Sequence, residues 1–305
     1  MFKRILVPLD GSALAEKALA PAYALAKKAA GKVILLRVPT PEIIVPHPVT
    51  GGYGVWLPEQ SEKKAFAEAE DYLTNKASRY DLPNVTTLKI TVGGDPASII
   101  VDTATDADVD LIVMSTHGRS GMNRWIMGSV TEKVMQDAPC PVLALRSDEP
   151  IENVLITVDG STLTETALIP GLELARGLNA NSTILRVDPK KEFLDKRDLD
   201  ELDNLEPGLG DMARLDFYER IPRYVATVAE KYGEEGEIET AVAEGNPAER
   251  ILEVAKELGT DVIVMATHGN TGMRRWLYGS TTYKVLRATD RSMLIIRPPV
   301  EAYEE

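Results

Sequence analysis

Two open α/β domains in tandem, each built on a parallel sheet, are what this sequence predicts, and three observations carry that reading. The chain has 305 residues with 44% hydrophobic content, enough for two domains of about 150 residues with a core apiece. Aromatic residues make up only 6% while Ala, Val, Ile and Leu abound, which suits buried parallel strands flanked by Ala-rich helices. Third, one pattern is written twice. Arg4-Ile5-Leu6-Val7-Pro8-Leu9-Asp10-Gly11-Ser12 returns, 149 residues on, as Asn153-Val154-Leu155-Ile156-Thr157-Val158-Asp159-Gly160-Ser161. Gly94-Asp95-Pro96-Ala97 returns as Gly245-Asn246-Pro247-Ala248, and Thr116-His117-Gly118-Arg119-Ser120-Gly121-Met122 as Thr267-His268-Gly269-Asn270-Thr271-Gly272-Met273, both at an offset of 151. A repeat this long is a whole domain rather than a solenoid unit. The boundary is expected between Ser147 and Ile151, giving domains over 1–147 and 151–300.

Each copy alternates short β-branched runs with longer segments of helical spacing, the mark of βαβ units. Strands are predicted at Ile5 to Leu9, Val33 to Val38, Thr87 to Val92, Leu111 to Ser115 and Val142 to Arg146. Their counterparts are Val154 to Val158, Thr183 to Val187, Glu239 to Ala243, Val262 to Ala266 and Leu294 to Arg297. Ala13 to Ala30 reads as one amphipathic helix stopped by Gly31. An irregular insert then precedes the second helix of each copy: Pro39 to Pro58, rich in Pro and Gly, and the acidic Asp188 to Asp211. Loops of that length are expected to cap a site or lack order. Pro222 is expected either to kink the following helix or to begin it.

Composition excludes several classes. The single cysteine, Cys140, rules out an internal disulfide or a thiolate cluster and fits a reducing cytoplasm. The opening apolar run is far shorter than a signal sequence needs, and no run of about 18 apolar residues occurs, so no membrane association is expected. Net charge is −13, with 16 Lys/Arg against 16 Asp/Glu over residues 1–147 and 18 against 31 thereafter. An acidic surface favours solubility and repels phosphate backbones, so nucleic acid is not an expected partner.

In an open parallel sheet ligands bind beyond the carboxyl ends of the strands, where strand order reverses. Asp10 and Asp159 end the first strand of each copy, and each opens a Gly-Ser turn that also reads as a helix cap. The fourth strand of each copy runs into a glycine-punctuated loop: Ser115-Thr116-His117-Gly118, nine residues, Gly128-Ser129-Val130-Thr131, and Ala266-Thr267-His268-Gly269, nine residues, Gly279-Ser280-Thr281-Thr282. Glycine lets the backbone approach a phosphate, and the amides and dipole of the helix start supply donors and positive potential. Ser129 with Glu132 also reads as a capping box, but Tyr283 stands at the second copy's Glu position. Neither a Walker loop nor a dinucleotide fingerprint is present. His117 and His268 have no second histidine placed as a ligand pair and read as loop packing, Trp125 and Trp276 as packing or interface anchors, and Cys140 as a small buried residue.

Together, the Ile-Leu-Val-Pro-Leu-Asp-Gly-Ser opening, the Gly-x-Pro-Ala element and the Thr-His-Gly-Arg-Ser-Gly to Gly-Ser-Val-Thr stretch resemble the universal stress protein family, over essentially the whole chain and twice. The resemblance implies a five-stranded parallel sheet with helices on both faces, of the Rossmann-like, adenine nucleotide alpha hydrolase-like kind. It implies ATP as ligand, alone or with Mg2+. Pro8, Asp10 and the backbone at Val38 would hold the adenosine, with Ser115, Gly118, Arg119, Gly128, Ser129, Val130 and Thr131 around the phosphates. In the second copy the corresponding positions are Asp159, Val187, Ala266, Gly269, Gly279, Ser280, Thr281 and Thr282. Ser115 and Ala266 stand where the family motif has its first glycine, and Asn270 replaces Arg119, so the first copy is expected to be the better site. The resemblance further implies that the last strands pair the two domains as an intramolecular pseudo-dimer, with further self-association and a protein partner of unknown identity. The leading reading is a cytoplasmic, ATP-binding sensor or regulator of a stress response. Weak ATP hydrolysis ranks below it, since no group to orient an attacking water is evident, and a scaffold of the same fold without nucleotide is the remaining alternative.

Overall fold

The computed structural model describes residues 2–39, 59–116, 127–188, 196–234, 236–267 and 279–297. The chain divides into two compact units, Met1–Arg146 and Ser147–Glu305. In the first, the elements follow as β1 (Arg4–Pro8), α1 (Ala13–Glu16), α2 (Leu19–Ala29), β2 (Lys32–Arg37), α3 (Glu59–Ser78), β3 (Thr86–Thr91), α4 (Pro96–Asp106), β4 (Leu111–Ser115), α5 (Ser129–Asp137) and β5 (Val142–Leu145). The second repeats them as β6 (Asn153–Val158), α6 (Thr162–Glu165), α7 (Leu168–Leu178), β7 (Asn181–Asp188), α8 (Lys196–Leu205), α9 (Leu209–Tyr232), β8 (Ile238–Glu244), α10 (Pro247–Glu257), β9 (Val262–Ala266), α11 (Ser280–Ala288) and β10 (Ser292–Ile296).

The first unit orders its strands β3-β2-β1-β4-β5 and the second β8-β7-β6-β9-β10, with parallel pairing throughout each. Ile5, Leu6 and Val7 of β1 and Leu111, Ile112 and Val113 of β4 are all fully buried. Successive strand residues point to opposite faces, so burial without alternation means that both faces of the sheet centre are covered. The chain leaves β1 toward β2 and β3, then returns to the other side of β1 as β4. The reversal therefore falls between β1 and β4, and in the second unit between β6 and β9.

Predicted strand positions agree with the observed ones to within two residues at most ends, and β4 and β9 coincide. The second unit's β7 runs to Asp188, whereas β2 stops at Arg37. Two residues beyond Arg37 stands Pro39, which has no amide for a ladder, while its counterpart is Asp188.

The helix expected over Ala13 to Ala30 is in fact two. It breaks after Glu16, where the Lys17 and Ala18 amides bond three residues back, to Leu14 and Ala15. The cause is Pro21, whose ring crowds the carbonyl four residues earlier and offers it no donor; that carbonyl belongs to Lys17, the C-cap of α1. Pro170 acts likewise on Thr166, the C-cap of α6. Nor does Gly31 itself supply the left-handed residue at the end of α2: Ala30 does, with φ 48°. Gly31 is needed because a β-carbon there would lie 2.5 Å from the Lys3 carbonyl oxygen.

Part of the acidic insert expected to be irregular is helical. Leu199, Leu202 and Leu205 recur every third residue in α8, and the Asp203 carboxylate then accepts from the Gly208 and Gly210 amides at 3.2 and 2.8 Å to turn the chain into α9. Helix α9 neither begins at Pro222 nor stops there. Ile221, Val225 and Val228, all buried, anchor it at helical spacing on both sides of the missing hydrogen bond. The Pro39 to Pro58 insert, apart from Pro39, lies outside the described residues.

The repeated Gly-x-Pro-Ala element is a helix start. Asp95 caps α4, accepting from the Ser98 amide at 3.0 Å and hydroxyl at 2.7 Å, with Pro96 in the first turn; Asn246 caps α10, its Oδ1 accepting from the Ala248 and Glu249 amides, with Pro247 in the first turn. The Ser98 hydroxyl, then the Lys133 ammonium at 3.0 Å, hold the Asp95 carboxyl well below its ordinary range, at about 2. A depressed folded-state pKa means stability that is present above the ordinary aspartate range and lost as pH falls through about 2. Asn246, which cannot ionise, adds no such dependence. A carboxyl-carbon NMR titration is expected to place Asp95 near 2, and the Lys133→Met variant to move its titration upward.

Candidate functional site

The site begins where β1 and β6 end. Asp10 and Asp159 each bend the chain by accepting, on Oδ1, the amide (2.9 Å) and the hydroxyl (2.6 Å) of the serine two residues on. Ser12 and Ser161 then cap α1 and α6 through their own oxygens. Between aspartate and serine, Gly11 and Gly160 take φ values of 87° and 81°. The positive φ demands glycine, and a β-carbon at either would also have to displace a guanidinium, that of Arg37 or Arg186.

The second part comes from β4 and β9. The Thr116 amide donates to the Leu145 carbonyl at the end of β5 (2.9 Å), while the Thr116 carbonyl accepts from the Gly128 amide (2.8 Å). Thr267 does the same between Ile296 and Gly279. One residue thus ties strand end, neighbouring strand and helix start together. Gly128 and Gly279 are the N-caps, so Ser129 is the first helical residue and not the cap that a capping box would require. Ser129 and Ser280 are exposed. The amides of Ser129, Val130 and Thr131, and of Ser280, Thr281 and Thr282, form the first turn, which has no acceptor within its own helix. The helix dipole adds positive potential at the same place.

Thr131 and Thr282 are buried; their hydroxyls donate to the Ser115 and Ala266 carbonyls, at 3.1 and 2.8 Å. They fasten the helix to the last residue of the strand, and only their amides remain for a ligand. Of the other expected residues, Pro8 is the half-buried end of β1, Val38 follows β2, and Val187 lies within β7. These gather, with Asp10 or Asp159, at the carboxyl edge of the parallel strands. Gly118, Arg119 and Gly269 lie outside the described residues, as do His117, His268, Trp125 and Trp276. Cys140 is half-buried rather than fully so. Burial, reinforced by the Asp110 charge, pushes its thiol up to about 12, which leaves it unreactive at neutral pH.

Behind the aspartate turn sits a network that sequence reasoning missed. The Tyr72 hydroxyl on α3 donates to Glu16 on α1 at 3.0 Å, and the Arg37 guanidinium lies 4.5 Å from the Tyr72 ring centre. The second unit repeats it: Tyr224 donates to Glu165 at 2.7 Å, and Arg186 lies 4.9 Å over the ring. Burial first, and then the bond to glutamate, raise both tyrosines well above their ordinary pKa, so they stay protonated donors. Lys76 adds an ion pair to Glu16 at 2.5 Å; Val228 stands at the corresponding place in the second unit. The recurrence of Glu and Arg at an offset of 149 and of Tyr at 152 was the available signal.

An open parallel α/β domain with helices on both faces, a strand-end carboxylate and a helix start at its point of reversal has a Rossmann-like fold, here present twice. The sequence profile described as the Universal stress protein family matches residues 1–146 and again 150–297, and the chain belongs to that family. Universal stress protein YxiE of Bacillus subtilis is 33% identical over 150 residues, covering 48% of this chain and all of that protein. Universal stress protein MJ0577 of Methanocaldococcus jannaschii is 32% identical over 158 residues, covering 48% of this chain and 96% of its own length. Each is thus comparable to one copy. Among solved structures, a universal stress protein from Archaeoglobus fulgidus shares the fold across 96% of this chain and 98% of its own, with a TM-score of 0.67 and 20% identity.

The tyrosine network yields a direct test. Tyr72→Phe and Tyr224→Phe each remove the tyrosine donor from a glutamate and are expected to cost about 0.5–3 kcal/mol, less in the first unit, where Glu16 keeps its ion pair with Lys76; the urea midpoint by circular dichroism reads both.

Proposed function

We propose that each copy binds an adenine nucleotide, ATP, at the carboxyl edge of its sheet, and that the chain serves as a sensor or regulator in a stress response. The observation that supports this most is the placement, in both copies, of a first helical turn and a strand-end aspartate on either side of the reversal between β1 and β4, or β6 and β9. The turn suits an oligophosphate: three amides, an exposed serine and the helix dipole converge there. Gly128 packs closely against the strand end, since a β-carbon at that position would stand 3.2 Å from the Thr116 carbonyl oxygen. Asp10 and Asp159 suit the ribose hydroxyls, because an ionised carboxylate only accepts.

Among the described residues no group of three His, Cys, Asp or Glu side chains is placed to hold a metal ion. On this reading Mg2+ arrives on the phosphates. The proposed output is a change of shape or of partner, with weak ATP hydrolysis the lesser alternative. Among the described residues no helix is long and apolar enough to cross a membrane; the setting we propose is the cytoplasm.

Calorimetric titration of the ligand-stripped protein with ATP and Mg2+ tests the reading. Saturable binding at two sites is expected, with Gly128→Val weakening one of them about tenfold or more and Gly279→Val acting on the other, while circular dichroism shows the fold retained. Absence of binding by the folded wild-type chain would refute the nucleotide assignment and favour a scaffold.

A further inference from the structure

The two strand-end turns differ at one position. Ala15 in the first copy corresponds, at the same offset of 149, to Thr164 in the second. Asp159 Oδ1 accepts not only from the Ser161 amide and hydroxyl, at 2.9 and 2.6 Å, but also from the Thr164 hydroxyl at 2.7 Å. The Thr164 oxygen in turn accepts from the Asp159 amide at 3.1 Å. One hydroxyl therefore closes the backbone and carboxylate of Asp159 into a ring. Thr164 is only 9% exposed, so water competes poorly for it. The two serine bonds have counterparts of equal length at Asp10; the Thr164 hydroxyl has none, because Ala15 ends in a methyl group.

A carboxylate oxygen offers about two lone-pair directions, and three donors on Asp159 Oδ1 crowd it. A ligand hydroxyl arriving there must share acceptor density with, or displace, a donor tethered five residues away. The Thr164 hydroxyl also helps to fix the side-chain rotamer, so the carboxylate cannot swing toward an incoming group without breaking three hydrogen bonds.

We propose that Thr164 makes the copies unequal sites, its hydroxyl holding Asp159 in the turn so that a ribose-type diol binds more tightly at Asp10. The inference rests on the nucleotide reading and adds a residue that sets the difference between the sites. It is separate from Arg119 and Asn270, since it acts on the sugar end of the ligand.

Titration calorimetry of the full chain with ATP tests it in the wild type and in Thr164→Ala, Thr164→Ser and Ala15→Ser, with Asp10→Asn and Asp159→Asn assigning each binding event to its copy. Two events of different strength are expected, with the weaker one abolished in Asp159→Asn. Thr164→Ala is expected to strengthen that weaker event about threefold to tenfold, the worth of one net hydrogen bond. Thr164→Ser, which keeps the hydroxyl, should match the wild type, and Ala15→Ser should weaken the stronger event; circular dichroism checks each fold. Two events of equal strength, or a weaker event that Thr164→Ala leaves unchanged or weakens further, would overturn the inference while nucleotide binding stands. No ATP binding by the folded wild type would overturn both.

Discussion

The geometry of each site depends on one threonine main chain. Thr116 gives its amide to β5 and its carbonyl to Gly128, and Thr267 repeats the arrangement with Ile296 and Gly279. Without that double tie, a helix start separated from its strand by about a dozen residues would have no fixed place relative to the sheet. The tie sets where the first-turn amides stand, and the side chains of Thr131 and Thr282 lock the same turn to the strand's last carbonyl. In each copy one buried hydroxyl and two backbone bonds, all satisfied, make a rigid base for the helix start.

The aspartate turn is a second rigid unit, and it is rigid for a different reason. A carboxylate bonded to the chain two residues ahead, a glycine with positive φ and an arginine packed where a side chain would otherwise stand leave the turn one conformation. The arginine is itself held over a tyrosine that reaches across to the following short helix. Strand end, α1 and α3 are therefore coupled through Arg37, Tyr72 and Glu16, and β6, α6 and α9 through Arg186, Tyr224 and Glu165. Duplication has kept this framework and the clamp, while letting Ala15, Lys76 and Pro39 diverge from Thr164, Val228 and Asp188. The positions that vary surround the turn without forming it.

Much of the fold was legible because a parallel sheet buried on both faces needs nearly continuous apolar runs, and a second copy of each run confirms its register. Asp10, Gly128 and Ser129 were legible as candidate site residues because they stand between strand and helix, where glycine and short polar residues shape the turn. What escaped reading acts at a distance along the chain. Pro21 and Pro170 break a helix through a carbonyl four residues earlier, so the apolar period looked unbroken. The Arg37–Tyr72–Glu16 network joins residues up to 56 apart, and nothing local in the sequence marks them. Charge misled in the acidic insert, part of which is the helix α8. Ser129 resembled a cap because Ser at a helix start is most often one; only the backbone shows Gly128 in that place.

The central claim is that the first-turn amides fixed by Thr116 and Thr267 receive an anionic ligand. Hydrogen exchange of the intact chain, measured residue by residue with and without saturating ATP and Mg2+, addresses those amides themselves. The account predicts slowed exchange at Ser129 to Thr131 and Ser280 to Thr282, alongside the turns after Asp10 and Asp159. Exchange at those amides unchanged by ATP, with protection elsewhere or nowhere, would contradict it.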